Sequence, residues 1–185
     1  NNLSNINVKQ GAAGCEWGSS VGGSLNMQTM EASTTPVRKI YLTAASSYSS
    51  VSNGYDGTFS LSTSGPKTAF RLSGTYRKAF NYKEGGGNVV PYSGFEKANY
   101  SASAVFRIQK KQALLLDYIG DLGWNIGYPA LPMDTKQARA NISSISYLFN
   151  PERKILKQVE TKVYFNHIYH DMDNALRAEI PMRMD

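Results

Sequence analysis

From about Val37 onward, long stretches with a period-two side-chain pattern are joined by connections that are short and long in turn, and this rhythm constrains the fold more than any other feature. Successive side chains of a strand point to opposite faces, so strict alternation is the signature of a sheet with two different environments. Leu72, Gly74, Tyr76 and Phe80 alternate with Arg71, Ser73, Thr75 and Arg77. Ala98, Tyr100, Ala102, Ala104, Phe106 and Ile108 share one face, against Asn99, Ser101, Ser103, Val105, Arg107 and Gln109. Val159, Thr161, Val163 and Phe165 oppose Glu160, Lys162 and Asn166. No helical period runs for three turns. The pattern predicts seven strands, at 38–47, 55–63, 68–81, 97–108, 112–121, 138–149 and 156–170. A globular strand is typically about 5–6 residues. A tilted strand that crosses a bilayer needs about 9–11, and all seven are about that long or longer.

The connections sort by length. SGPK, the pair Lys110–Lys111, and NPERK with Pro151 are turns. SYSSVSNG, NYKEGGGNVVPYSGFEK and the stretch around WNIGYPALPMDTK are long, and the chain leaves strand pattern again after Met172. Short turns on one side and long loops on the other are the arrangement of outer-membrane barrels. A soluble sandwich has no reason to sort its loops so. Small and aromatic residues on one face, polar ones on the other, and Tyr and Phe near strand ends suit a lipid-facing wall with a wet lumen and aromatic girdles. The expected fold is therefore all-β, a partial antiparallel transmembrane β-barrel of about seven strands of a larger barrel. An isolated seven-stranded sheet has two open edges that lipid cannot satisfy, so the chain is expected to be a fragment of a larger barrel.

Composition narrows the classes. Ser, Gly, Asn and Tyr are abundant, with 12 Tyr, while Leu, Ile and Val are sparse. The net charge is +6, but the basic residues are scattered, which argues against nucleic acid as a partner. A single cysteine makes no internal disulfide. No run of eighteen apolar residues marks a transmembrane helix. The chain starts at Asn1 without a charged-then-apolar leader, as expected if a signal was removed or if the sequence is an excerpt.

The first thirty-odd residues break the rhythm. INVKQGAAGCEWGSSVGGSLNMQT reads as a short strand, a Gly-rich loop and a second short strand. Here the chain resembles the end of the plug domain of TonB-dependent outer-membrane receptors, through Val8, Lys9, Gly11, Trp17, Gly18, Gly22, Gly23, Leu25, Asn26 and Thr29. Ala12 stands where the family usually has proline. YPALPMD, Tyr128 to Asp134, and HDMDN, His170 to Asn174, match in the expected order. The resemblance covers the whole chain. It implies residues 1–33 as the C-terminal part of the plug and 34–185 as the N-terminal part of the barrel. It further implies import of a scarce ligand such as a metal ion or metal chelate, outer-membrane lipid around the wall, and energy from the TonB–ExbB–ExbD system through a missing N-terminal part.

Several motifs have plainer readings. GSSVG, Gly18 to Gly22, matches a nucleophile elbow only formally: the next residues are strand-like, and no triad partner is in place. GGGNVV, Gly85 to Val90, lacks the Lys-Ser/Thr of a phosphate loop and reads as a flexible external loop. The acceptor triplets at Asn99 and Asn141 fall within strands of a bacterial-type barrel. No catalytic residue is expected, and the chain is not read as an enzyme.

The densest cluster of donors is VYFNHIYHDMDN, Val163 to Asn174, which holds both histidines of the chain. With Val163 and Phe165 facing lipid, Tyr164, Asn166, Ile168, His170 and Met172 face the lumen, and His167 and Tyr169 face outward. Residues two apart on a strand lie on one side, about 7 Å apart. His170 and Met172 are thus able to reach one ion, whereas the two histidines are not. Imidazole plus thioether suits a soft or borderline metal, above all copper. The copper-importing branch of the family is similar: it pairs His-x-Met from the barrel with Cys and Met from the plug. The resemblance implies His170, Met172 and Cys15 as metal residues and copper as the ligand, with no required cofactor. Cys15 also reads plainly as a small residue of the plug. Ser19, not Met, stands four residues after it; Met27, Met182 and Met184 are alternatives. The rival expectations are a siderophore or other organic-ligand receptor, a soluble all-β binding module, and a small structural outer-membrane barrel.

Overall fold

A computed structural model describes residues 3–11, 22–151, 153, 156–175 and 177. The chain divides into two compact units, Asn1–Glu31 and Ala32–Asp185. The first holds an antiparallel pair, β1 (Leu3–Gln10) and β2 (Gly23–Thr29), with Val8 opposite Leu25 and Ile6 opposite Met27. The glycine that opens β2 is required: Gly23 has φ +136, and a Cβ there would meet the Lys9 carbonyl oxygen at 2.6 Å. Trp17, the GSSVG motif and Cys15 lie outside the described residues, apart from Gly22.

The second unit is one seven-stranded antiparallel sheet in which every strand pairs only with its neighbours in sequence. Its strands are β3 (Lys39–Ser49), β4 (Gly54–Ser64), β5 (Thr68–Ala79), β6 (Phe95–Gln109), β7 (Gln112–Ile126), β8 (Asp134–Phe149) and β9 (Val159–Asp173). All seven expected strands are present. No helix among the described residues is long and apolar enough to cross a membrane, a statement that does not concern strands.

Two details of the connections differ from expectation. The β3–β4 connection is residues 50–53, because pairing continues through Tyr48–Tyr55 to Ser49–Gly54; Asn53 takes a left-handed φ of 45° and its side chain accepts a hydrogen bond from Tyr48 Oη at 3.0 Å. The β8–β9 connection runs over 150–158, because pairing starts only at Val159. Short and long connections therefore do not alternate strictly. The stretch with GGGNVV is also not structureless. Lys83 bridges to Val89, Val90 N–H donates to Tyr82 O at 2.9 Å, and Gly87, with φ +85, closes the turn.

Cross-strand partners lie on the same face, so the register can be followed from β9 to β3. One face carries Lys162, Asn166 and His170, then Ser144 and Ser146, Asp117 and Asp121, Asn99, Ser101 and Ser103, Arg71, Ser73, Thr75 and Arg77, Ser60 and Ser62, and Thr43 and Ser47. The other carries Val163 and Phe165, Ile145 and Tyr147, Leu114, Leu116 and Tyr118, Ala102 and Phe106, Phe70 and Leu72, Phe59 and Leu61, and Ile40 and Leu42. Most of the exposed large apolar side chains of the sheet are on this second face, Ile40 at 74% and Val163 at 69% among them. Among the described residues the only buried apolar one is Ala69. The sheet has two chemically opposite faces and almost no core.

Aromatic residues mark two levels on the apolar face. Phe70 packs edge-on against Phe106 at 5.5 Å near the short turns, and Tyr55 tilts against Tyr76 at 6.2 Å near the opposite end. Tyr100 and Tyr118 meet at 5.8 Å between them. Tyr100 lies over Gly120 and Phe59 over Gly74, where a side chain would collide with the ring. From Gln112 to Trp124, β7 spans about 41 Å at about 3.4 Å per residue. At a tilt of about 40° this covers the roughly 25 Å apolar band of a barrel wall and leaves the strand tips outside it. On the polar face, near the short turns, the segment before β3 is held by Ala32 N–H donating to Ser103 Oγ at 2.8 Å and Thr35 N–H donating to Gly65 O at 3.1 Å.

Candidate metal-binding and loop-anchoring site

At the end of the sheet opposite the short turns, the β7–β8 connection and the tip of β9 meet. β9 has no bulge, so its alternation is unbroken from Val159 to Asp173. His170, paired with Ala138, and Met172, paired with Thr135, lie on one side, the polar face. His167, paired with Asn141, and Tyr169, paired with Arg139, lie on the apolar face. The two histidines do not converge. Cys15, Ser19, Met182 and Met184 lie outside the described residues, and Met27 belongs to the Asn1–Glu31 unit. No three His, Cys, Asp or Glu side chains come together among the described residues. His170 and Met172 thus place an imidazole and a thioether on the same side of one strand.

The irregularity in this region is in β8. Its register shifts between Thr135 and Gln137, so Lys136 is the extra residue of a bulge. The bulge turns Thr135 onto the His170 side. Thr135 is fully buried, and its Oγ1 lies 3.1 Å from His170 Nε2 while donating to Tyr128 Oη at 3.4 Å.

Arg177 sits beside this group, and no local pattern in the chain singles it out. Its side chain is 8% exposed. Nε donates to Asp134 Oδ2 at 3.0 Å, and Nη2 donates to Asp134 Oδ1, to Tyr128 O at 2.8 Å and to Met133 O at 3.4 Å, while Nη1 donates to Leu131 O. Its guanidinium stacks 4.2 Å from the centre of the Tyr92 ring. The planar fork of arginine suits this bidentate carboxylate contact together with carbonyls. Asp134 also accepts from Tyr128 N–H at 3.1 Å. One cation thereby ties residues 128–134 to the chain after β9, and stacks on the β5–β6 connection. Asp134 is at the strand tip, beyond the level of Trp124, outside the apolar band. The Arg177 guanidinium, helped by the Tyr128 N–H, holds its carboxyl below the usual carboxylate range, and Asp134 in turn raises Arg177. A cleft of about 390 Å³ opens next to the clamp, lined by Asn81, Tyr92, Asn125, Asp134, Thr135, Lys136 and Asp173 among others.

No protein-family model and no curated protein matches the chain. Among solved structures it is similar to "Copper transporter OprC", with a TM-score of 0.79 at 21% identity over 92% of this chain and 26% of that one. The chain spans about a quarter of that protein's length. At this identity the likeness establishes the fold: an all-β chain whose antiparallel sheet resembles a section of a barrel wall, as the strand rhythm led us to expect.

Proposed function

We propose that this chain is part of a TonB-dependent outer-membrane receptor that imports a scarce soft metal, copper above all. In this reading the apolar face of the sheet contacts lipid and the polar face lines the lumen. The Asn1–Glu31 unit is the end of a plug, and residues 80–94, 127–133 and 174–177 belong to the outer surface. Copper is cargo here, not a resident cofactor. His170 and Met172 take it at the outer end of the lumen, and rearrangement of the plug driven by TonB–ExbB–ExbD releases it inward; Cys15, the third residue that the resemblance implies, is tested beside them. The chain performs no covalent step.

The observation that carries the ligand reading is that an imidazole and a thioether share the polar side of β9 at its outer tip. This donor pair favours copper(I) over magnesium or calcium, which prefer oxygen ligands. The fold of a copper transporter supports the same class. The test is copper(I) affinity of the full-length protein in detergent, for wild type and for His170→Ala, Met172→Ala and Cys15→Ser. Loss of at least about tenfold for His170→Ala and Met172→Ala is expected; unchanged affinity in both sinks the copper reading and returns the ligand to the siderophore class. A protein that is soluble and monodisperse without detergent contradicts the membrane reading, because the apolar face then needs a different explanation.

A further inference from the structure

We propose that Thr135 is a positioning residue for His170: it holds the imidazole as the Nε2–H tautomer, so that Nδ1 is the atom offered to a soft metal cation. The inference rests on the reading of His170 as a ligand. A hydroxyl carries one proton and two acceptor lone pairs. Thr135 Oγ1 donates to Tyr128 Oη at 3.4 Å. The 3.1 Å contact to His170 is then made by the ring N–H donating to Oγ1. A neutral imidazole has a single N–H, so Nδ1 keeps its lone pair. No described residue hydrogen-bonds Nδ1.

The placement is enforced from several sides. The Lys136 bulge brings Thr135 into register with Met172, so the hydroxyl and the thioether belong to one cross-strand pair. Full burial of Thr135 leaves its hydroxyl no bulk water as an alternative partner. Tyr128, the receiver of the proton, is fixed by its own main chain: its N–H donates to Asp134 and its carbonyl accepts from Arg177. The chain of contacts therefore runs from the buried Arg177 through Tyr128 and Thr135 to the exposed ring of His170. Hydrogen bonds to the non-ligating nitrogen of a metal-binding histidine set its tautomer and ring angle.

The test uses the full-length protein in detergent. Copper(I) affinity is read by competition with a chromophoric copper(I) chelator. The tautomer is read from ring ¹⁵N shifts at a pH where imidazole is neutral, His170 being the signal lost in His170→Ala. Thr135→Val, which keeps the shape and removes the hydroxyl, is expected to lower affinity about 10–100-fold. Thr135→Ser is expected to stay close to wild type in both readouts. Tyr128→Phe releases the threonine proton to donate to Nε2, so the ring shifts towards the Nδ1–H form; a purely structural role for these residues does not move the tautomer. The proposal is overturned if Thr135→Val binds copper(I) like wild type while His170→Ala does not, or if the wild-type ring is the Nδ1–H form. Wild-type affinity in His170→Ala overturns it differently, by removing the ligand reading beneath it.

Discussion

At one end of the seven-stranded sheet, β4 and β5 are joined by residues 65–67 and β6 and β7 by residues 110–111. At the other, residues 127–133 and the chain after β9 are drawn together by a single guanidinium that also stacks on Tyr92. The turn end reverses the chain by local chemistry, a Gly-Pro pair and a two-residue reversal, with the segment before β3 docked beside them. The opposite end is tied together by contacts across 43 to 49 positions of sequence. Local rules make an end rigid cheaply and redundantly. A long-range clamp concentrates the order of several loops in one side chain, and exposes all of them to its loss.

The comparison is broken most severely by Arg177→Ala. It removes the guanidinium contacts to Asp134 and to three carbonyls, leaving, among the described residues, Asp134 only the Tyr128 N–H and Tyr128 O only the Leu131 N–H, and we expect residues 127–133 to become at least about tenfold more susceptible to limited proteolysis. The 65–67 and 110–111 turns should be untouched. Arg177→Lys should recover only part of the protection, since an ammonium does not reproduce the fork. Equal loosening at both ends would show that the clamp is not what separates them.

Between the two ends, Gly120→Val drives a side chain into the Tyr100 ring and disturbs the Tyr118 hydrogen bond to Asn141. A cost of about 1–3 kcal/mol is expected in a denaturant titration of the detergent-solubilised protein. This change should weaken the wall without selecting either end.

Acid offers a gentler probe of the clamp. The Asp134 carboxyl is lowered in the folded protein, so its contribution is complete above the ordinary aspartate range and is lost as pH falls through the depressed value. Hydrogen exchange of residues 127–133, corrected for intrinsic rate, should therefore stay constant down through pH 5 and rise only in stronger acid. A rise at neutral pH would point to another group. The smallest effect is expected at the turn end: Pro66→Ala should cost no more than about 0.4–1 kcal/mol, mainly through the unfolded chain.

The same contrast explains how much of the molecule is legible in the sequence. Period two identifies the strands because each face meets a single environment, and it assigns His170 and Met172 to one side and His167 to the other. The bounds of β7 and β8 are less legible. WNIGYPALPMDTK looks like a loop from Trp124 to Lys136, yet pairing continues through Ile126 and Thr135. Asn125 at φ 48° and the extra residue Lys136 absorb the irregularity. Arg177 is not legible at all. It stands in NALRAEI with no periodic pattern, and its partners are far away in sequence. The motifs YPALPMD and HDMDN stand as two separate resemblances; a cation just beyond the second that holds the first is invisible to any local window. Cys15 lies outside the described residues, so its part in the site stays with the proposal.

The strict neighbour-to-neighbour pairing of β3 to β9 has a kinetic meaning. Connections of 2 to 15 residues join successive strands, so each new strand closes only a small loop before it finds its partner, and the entropy of closure stays low at every step. Contacts this local favour rapid, sequential growth. The sheet can lengthen one hairpin at a time along an edge already formed, and the growing edge needs only the next strand of its own chain to cover it.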